Sequence, residues 1–538
     1  MSIRRRLLLA SLVVVLLGSG AVLVWIVRAT PTIRDTVIFT LNDRFDSKVD
    51  MKSLQIAAWP RPRLWGEELV LRYNGRTDIP PLITIKTFAA SAGLRGIFRK
   101  PLHLHTVTVE GLDIHVPPGG LNLDDSANDA EPAPSNGNRD DLARVEPPPP
   151  ISPAPAGPPT FLIDTFRSQQ ARLEIASHRR DRLPRVFDIQ DLVMNGFGLT
   201  DGAQFHAGLI NPMPRGRIET DGRFGPWNGD EPDRTPISGT YTFTNANLDD
   251  IDGIGGILSS SGTYSGVLER VDVEGQTTTP DFSIDIAKQA APLTTQFHAI
   301  VDGTNGDTWL DRVEATLLRT TIIAKGAVVR TQNVKGRRVS LDLQIKQGHI
   351  EDLMRLAVKS SRNPLVGNID LDTRFLLPAG SGDVVDRLVL DGAFRLQRAQ
   401  FTSIDVQKKI NVISSRGRGD EGATGAGESV VSNMQGHFAL RNAKLTFSNL
   451  TFAVPGAIVQ LSGTYGLHDE MIDFSGYFLT DATLADMTSG VKSLLARLAQ
   501  PFFRRPGGGS KIPIRISGPR ANPKFGLDVR RVLHQDQP

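Results

Sequence analysis

The sequence predicts a mostly β protein: an elongated antiparallel meander with a few capping helices, carried behind one N-terminal transmembrane helix. Three observations point there. Apolar and polar residues alternate over much of the chain, which is the period of a sheet with one apolar and one wet face. Glycine-containing turns interrupt the alternation at short intervals, as in Asp302-Gly303-Thr304-Asn305-Gly306-Asp307, and hairpins in succession make a meander. Near the N-terminus lies one long uncharged run.

That run, Leu7 to Val27, holds 21 residues without a charge. As a helix it would be about 31 Å long, enough to cross the hydrocarbon core. Arg4, Arg5 and Arg6 precede it and Arg28 follows. The flank from Trp25 to Thr30 lacks a small-x-small cleavage site, so an uncleaved signal-anchor is expected. Arg28, Arg34 and Arg44 weaken the charge bias across the span. The short basic head (1–6) and the long trailing chain favour a cytoplasmic N-terminus, with residues 28 onward on the far side. No other stretch is long and apolar enough, so the expectation is a single pass.

The next region, 28–116, reads as strands: Leu112, Ile114 and Val116 alternate with Asp113 and His115. Residues 117–160 break the pattern. Pro, Asp, Asn, Ser and Gly dominate there, too few apolar residues remain to offset ordering, and a disordered Pro-rich linker is expected. The central region, 161–435, carries the clearest alternation, in Val339, Leu341, Leu343 and Ile345 and again in Ile369 and Leu371. The last region, 436–538, repeats it in Ile512, Ile514 and Ile516.

An internal template, Gly-x-aromatic-x-apolar-x-x-Ala-x-apolar, occurs at Gly239 to Leu248, Gly392 to Phe401 and Gly436 to Leu445. It reads as a strand, a two-residue turn and the start of the next strand, a unit that stacks in one dimension. Two amphipathic helices are expected. One carries Ile350, Leu353, Met354 and Ala357. The other, 483–500, carries Leu484, Met487, Val491, Leu494, Leu495 and Leu498 and ends at Pro501. A marginal third lies around Leu248 to Ser259, weakened by Gly253, Gly255 and Gly256.

Chemistry-bearing patterns are scarce. The chain has no cysteine, which excludes thiolate catalysis and Cys-ligated metal centres. The net charge of +3 comes without a basic cluster, which argues against nucleic acid. His103 and His105, two apart, would share one face of a strand and together with His115 could bind a metal, but a polar, outward strand face is the expected reading. Pro506 to Lys511 lacks the order and context of a phosphate loop. Asp302 to Asp307 lacks the downstream Glu and flanking helices of a calcium loop, so it reads as a hairpin turn. The expectation is therefore no catalytic, cofactor-binding or metal-binding residues, and no enzyme.

An apolar sheet face over hundreds of residues must pair with another face or cover something apolar. Periodicity alone leaves a closed β-sandwich or barrel and an open, lipid-facing trough side by side. The energetics suit the trough, since exposing two acyl chains of about 16 carbons costs on the order of 25 kcal/mol.

The chain resembles the AsmA family of bacterial envelope proteins. The resemblance rests on the N-terminal anchor with the amphipathic stretch Thr32 to Asp46, and more specifically on the C-terminal block. That block runs through Gly436-x-Phe438-x-Leu440-x-x-Ala443-x-Leu445, Leu461-Ser462-Gly463-Thr464-Tyr465-Gly466-Leu467 and Ile472-Asp473-Phe474-Ser475-Gly476. It continues with Pro501-Phe502-Phe503-Arg504-Arg505, Ile512-Pro513-Ile514-Arg515-Ile516-Ser517-Gly518 and Asn522-Pro523-Lys524-Phe525. Asn211 to Gly216 and Phe224 to Trp227 look alike too. The resemblance implies an inner-membrane protein whose periplasmic bulk is a taco-like β-groove that binds or conducts phospholipid for outer-membrane biogenesis. The groove would be lined by Val339, Leu341, Leu343, Ile345, Ile369, Leu371, Ile512, Ile514 and Ile516. Leu484, Met487, Val491, Leu494, Leu498, Phe502, Phe503, Arg504 and Arg505 would meet a membrane or partner. The alternative is a scaffold or regulator that binds other envelope proteins; no oligomeric state is assigned.

Overall fold

A computed structural model of the chain describes residues 47–57, 63–73, 80–81, 83–93, 101–116, 146–153, 161–175, 185–198, 201–226, 232–285, 287–331, 334, 336–359, 363–402, 404–418, 430–482, 508–520 and 522–528. The expected cytoplasmic head, the transmembrane helix and helix 483–500 lie outside the described residues. So do Phe502, Phe503, Arg504, Arg505 and most of the linker 117–160. Among the described residues no helix is long and apolar enough to cross a membrane.

The described residues form 24 strands of one sheet that is not closed. In chain order the first nine are β1 (Ser47–Ala57), β2 (Arg63–Tyr73), β3 (Ile83–Ala92), β4 (Leu102–Val116), β5 (Phe161–Ile175), β6 (Arg185–Phe197), β7 (Ala203–Pro212), β8 (Arg215–Phe224) and β9 (Pro236–Asn247). Then come β10 (Ile254–Gly255), β11 (Ile257–Val267), β12 (Arg270–Ile284), β13 (Ala291–Val301), β14 (Thr308–Leu317), β15 (Thr320–Arg330) and β16 (Arg337–His349). The rest are β17 (Leu365–Leu377), β18 (Val389–Phe401), β19 (Ser432–Arg441), β20 (Lys444–Val454), β21 (Ala457–Gly466), β22 (Met471–Thr480), β23 (Ser510–Pro519) and β24 (Lys524–Leu527). Three short α-helices accompany them: α1 (Ile350–Ala357), α2 (Val384–Arg387) and α3 (Ile404–Gly417). The chain divides into two compact units. The first holds β1 to β9 and most of β11; the second holds β10, most of β12 and everything from β13 onward.

In the first unit, β1 to β4 form antiparallel neighbours, with a small cluster of Val49, Met51, Leu54, Leu69 and Leu71 buried on one face. The meander then departs from the all-antiparallel expectation: β4 and β5 pair in parallel, Leu104 opposite Ile163 and Val107 opposite Phe166. Parallel neighbours need a long crossover, and the Pro-rich segment between them supplies it. Its described part, 146–153, has neither helix nor strand. The antiparallel order resumes from β5 to β8.

The internal template acquires a structural meaning that differs from the expected hairpin. Only the Gly436 copy makes a two-residue turn, with Asn442 and Ala443 both at positive φ between β19 and β20. The Gly392 copy lies wholly inside β18, and the Gly239 copy runs from β9 into a 3-10 turn at Leu248–Asp250. What the copies share is a left-handed residue at the seventh position, Asn245, Arg398 or Asn442, followed by a buried alanine, Ala246, Ala399 or Ala443. In β18 this is a bulge: the register slips between Leu396 and Ala399. An extra residue shifts the period-two phase by one. Gly392, Phe394 and Leu396 thus stay on the same face as Ala399 and Phe401 although the sequence spacing changes from two to three.

The helices differ in legibility. α1 occurs where its stripe predicts, but the inward residues are Ile350, Leu353 and Leu356, while Ala357 is exposed. No α-helix forms over 248–259; after the 3-10 turn the chain enters β10 and β11, which the three glycines permit. Asp302 to Asp307 connects β13 to β14, with the Asp302 carboxylate accepting from the Thr304 amide at 2.9 Å and Asp307 paired with Arg337 at 2.6 Å.

Candidate functional site

Within the second unit the registers bring the apolar residues of successive strands into continuous rows. One row runs Leu343, Thr373, Gly392, Phe438, Phe447, Gly463, Phe474, Ile516 from β16 to β23. The row beside it runs Leu341, Phe375, Leu390, Leu440, Leu445, Tyr465, Ile472 over the strands from β16 to β22. Leu371 and Phe394 are adjacent in a third, and Phe478 and Ile512 in a fourth. Several rings face a glycine on the neighbouring strand, Phe438 opposite Gly392, Phe394 opposite Gly436 and both Phe447 and Phe474 opposite Gly463, so each lies over a bare backbone. A Cβ at Gly436 would stand 3.3 Å from Phe394 Cε1. Ring centroids of Phe394 and Phe447 are 6.4 Å apart and those of Phe447 and Phe474 are 5.9 Å apart, within the range of favourable aromatic contacts.

These rings are not sealed in. Phe375, Phe394, Phe438, Phe447, Phe474 and Phe478 are all only partly buried. Among the residues whose side chains are described, no Phe, Tyr or Trp is fully buried. A core packed between two layers ordinarily buries phenylalanine. The opposite face is polar and cross-linked: Gln344 donates to Asp372 at 2.7 Å, and Arg515 grips Asp473 at 3.0 Å.

One end of the apolar face is closed by helices. Ile345, Ile369, Leu396 and Ala399 form a buried cluster on which Ile350 and Leu353 of α1 pack. Asp352 fastens this helix. Its buried carboxylate accepts from the Arg319 amide, the Arg319 guanidinium and the Thr320 hydroxyl, each at 3.0 Å. α3 sits at neighbouring strand ends and turns a polar edge inward. Gln407 accepts from the Phe401 amide at 3.0 Å and donates to the Val430 carbonyl at 2.9 Å, while Ser414 donates to the Pro455 carbonyl at 2.7 Å.

Of the residues expected to line a groove, Val339, Leu341, Leu343, Leu371, Ile512, Ile514 and Ile516 are partly exposed and lie on this face. Ile345 and Ile369 lie there too but are buried in the cluster under α1. Phe375, Phe394, Phe438, Phe447, Phe474 and Phe478 share this face. For Phe394 and Phe438 the signal in the sequence is the aromatic position of the repeated template; the others lie outside it.

No family model, no curated protein and no solved structure matches the chain. The resemblance to the AsmA family rests on the motifs quoted above.

The polar face of the first unit holds a second feature. His103 and His105 do share a strand face, but His115 does not join them; it lies 3.3 Å from Glu174 instead. The third member is Asp164 on β5, with Oδ1 2.6 Å from His103 Nε2 and Oδ2 2.8 Å from His105 Nδ1. Burial opposes ionisation of Asp164, but the hydrogen bonds to His103 and His105 outweigh it and lower its pKa. Farther along, His206 lies 2.9 Å from Asp221 and near Asp191 and Glu219. The hydrogen bond to Asp221 raises its pKa above the ordinary histidine value, with the charges of Asp221, Asp191 and Glu219 adding to the rise.

Proposed function

We propose that this protein is an anchored lipid-handling surface: a periplasmic, taco-like β-groove on the inner membrane that receives phospholipid acyl chains for outer-membrane biogenesis. The single observation that supports it most is the apolar face of β16 to β23, where successive phenylalanines stay partly exposed. Water contact with such a surface is unfavourable by about 25 cal/mol per Å² of apolar area, so an occupant is favoured. Acyl chains match it, being apolar, flexible and indifferent to side-chain detail. They can slide along rows of rings without a fixed binding pose, and the headgroup can remain in water beyond the groove. The uncharged run 7–27 would keep the groove beside a bilayer, which is both the source of such chains and the reason an anchor is useful. The AsmA-like motifs agree with this reading. No step in it requires bond chemistry.

The test is native mass spectrometry and lipid extraction of the full chain purified in a mild detergent. The expected result is co-purified phospholipid that is reduced in Phe438→Glu and Ile516→Glu, both on the open part of the face. Lipid-free protein, or lipid retained unchanged in both folded variants, would exclude the reading.

A further inference from the structure

The geometry points to a divalent transition-metal site on the polar face of the first unit, formed by His103, His105 and Asp164 and independent of the lipid reading. The two histidines are separated by one residue on β4, which puts both imidazoles on one side of the strand. The β4–β5 register, with Leu104 opposite Ile163 and Thr106 opposite Thr165, places Asp164 directly beside His105. Parallel pairing thus brings together three ligands from positions some sixty residues apart, and their donor atoms all lie within 4.8 Å of one another.

The ligand set defines the class of ion. Two imidazoles and one carboxylate suit zinc and its first-row neighbours rather than magnesium or calcium, which prefer oxygen donors throughout. Around an ion held at about 2.1 Å, tetrahedral donors stand about 3.4 Å apart. The two present N···O distances, 2.6 and 2.8 Å, lie below that value, and no donor separation exceeds 4.8 Å. Entry of an ion therefore needs displacements of about an ångström or less, within reach of three side chains that are each more than a third exposed. Three protein donors leave at least one position for water or an outside ligand.

The surroundings leave room. Gly93 borders the His105 ring: a Cβ there would stand 3.2 Å from Nε2. Across the β5–β6 pair, between Ile163 opposite Phe197 and Thr165 opposite Asn195, the residue facing Asp164 is Gly196. Glycine at both positions keeps side-chain bulk off the neighbours of His105 and Asp164. The comparison within the molecule is informative as well. His298 with Asp311, His437 with Asp391 and His468 with Asp386 each pair one imidazole with one carboxylate. Among the described residues only the His103 and His105 site converges two imidazoles on one carboxylate.

The experiment titrates the full chain with Zn²⁺ alone against a chromogenic chelator. Wild type should take up one tightly held equivalent. His103→Ala, His105→Ala and Asp164→Asn should each weaken that binding by at least about tenfold, while His298→Ala leaves it unchanged. Circular dichroism checks that the variants keep their sheet. Co²⁺ titration of the wild type provides a readout needing no variant, with intense visible bands of a low-coordinate ion expected. A spectrum identical to aqueous Co²⁺, or zinc uptake that persists equally in all three ligand variants, would overturn the proposal and mark any uptake as adventitious.

Discussion

The ring of Phe474 lies against the bare backbone of Gly463 on the neighbouring strand. The two are direct partners in the β21–β22 register, and a Cβ on Gly463 would stand 2.8 Å from Phe474 Cδ1 and closer still to the Asp473 carbonyl. The glycine is therefore required by packing, without any need for positive φ. Gly463→Ala should destabilise the protein by about 1–3 kcal/mol, the usual range for overpacking. A lower urea midpoint with an unchanged slope would show this, and an unshifted midpoint would show that the β22 backbone gives way without cost.

Leu343 and Ile345 share a strand and a face but not an environment. Leu343 is partly exposed on the open rows, whereas Ile345 is buried against Ile369 and Leu396 beneath α1. Ile345→Glu should unfold this end of the sheet, because an unpaired carboxylate buried in an apolar cluster costs several kcal/mol. Leu343→Glu should remain folded and lose bound lipid. Thermal melts alongside lipid extraction separate the two effects; similar melting temperatures in both variants would contradict the difference in burial.

Much of this fold is legible in the sequence because a single-layer sheet shows its faces as strict alternation. The strands at Val339 to Ile345 and Ile512 to Ile516 follow directly. The three-residue step before Ala399 is not legible, since the sequence reads there as a turn, whereas a left-handed Arg398 shifts the phase inside one strand. The parallel pairing of β4 with β5 was not legible, since nothing in a Pro-rich connection states at which end of the next strand the chain re-enters. For that reason neither the approach of Asp164 to His103 and His105 nor the separation of His115 from them is legible. α3 was missed for a different reason. Its buried residues Gln407, Asn411 and Ser414 recur at helical spacing, but they are polar and serve strand-end backbone groups, so a search for apolar stripes passes over them.

Asp352 joins α1 to the β14–β15 turn through three hydrogen bonds at 3.0 Å. Asp352→Asn keeps the size but loses the charge and turns one acceptor into a donor, facing either the Arg319 guanidinium or the Arg319 amide and Thr320 hydroxyl. A cost of about 1–3 kcal/mol is expected, the price of leaving buried hydrogen-bonding groups unmatched. The loss should be local. Hydrogen exchange should accelerate in α1 and at Arg319 and Thr320 while β20 to β23 keep their protection, and uniform acceleration across the sheet would refute a local role.

His206 offers a titration with a defined sign. Its pKa is raised, chiefly by the hydrogen bond to Asp221, so the folded protein holds the proton more tightly than the unfolded chain does. The stabilisation from this group is complete below the unfolded value of about 6.5 and disappears as pH rises through the higher folded value. Because the side chain is 46% exposed, solvent screening keeps the energy small, and the pKa itself is the better observable. Histidine-selective NMR should place His206 above the ordinary histidine value, and Asp221→Asn should bring it down toward that value. Asp191 and Glu219, at 3.6 and 3.7 Å, remain in the variant and should keep part of the shift. An unaltered His206 titration in Asp221→Asn would assign the shift to those two carboxylates instead.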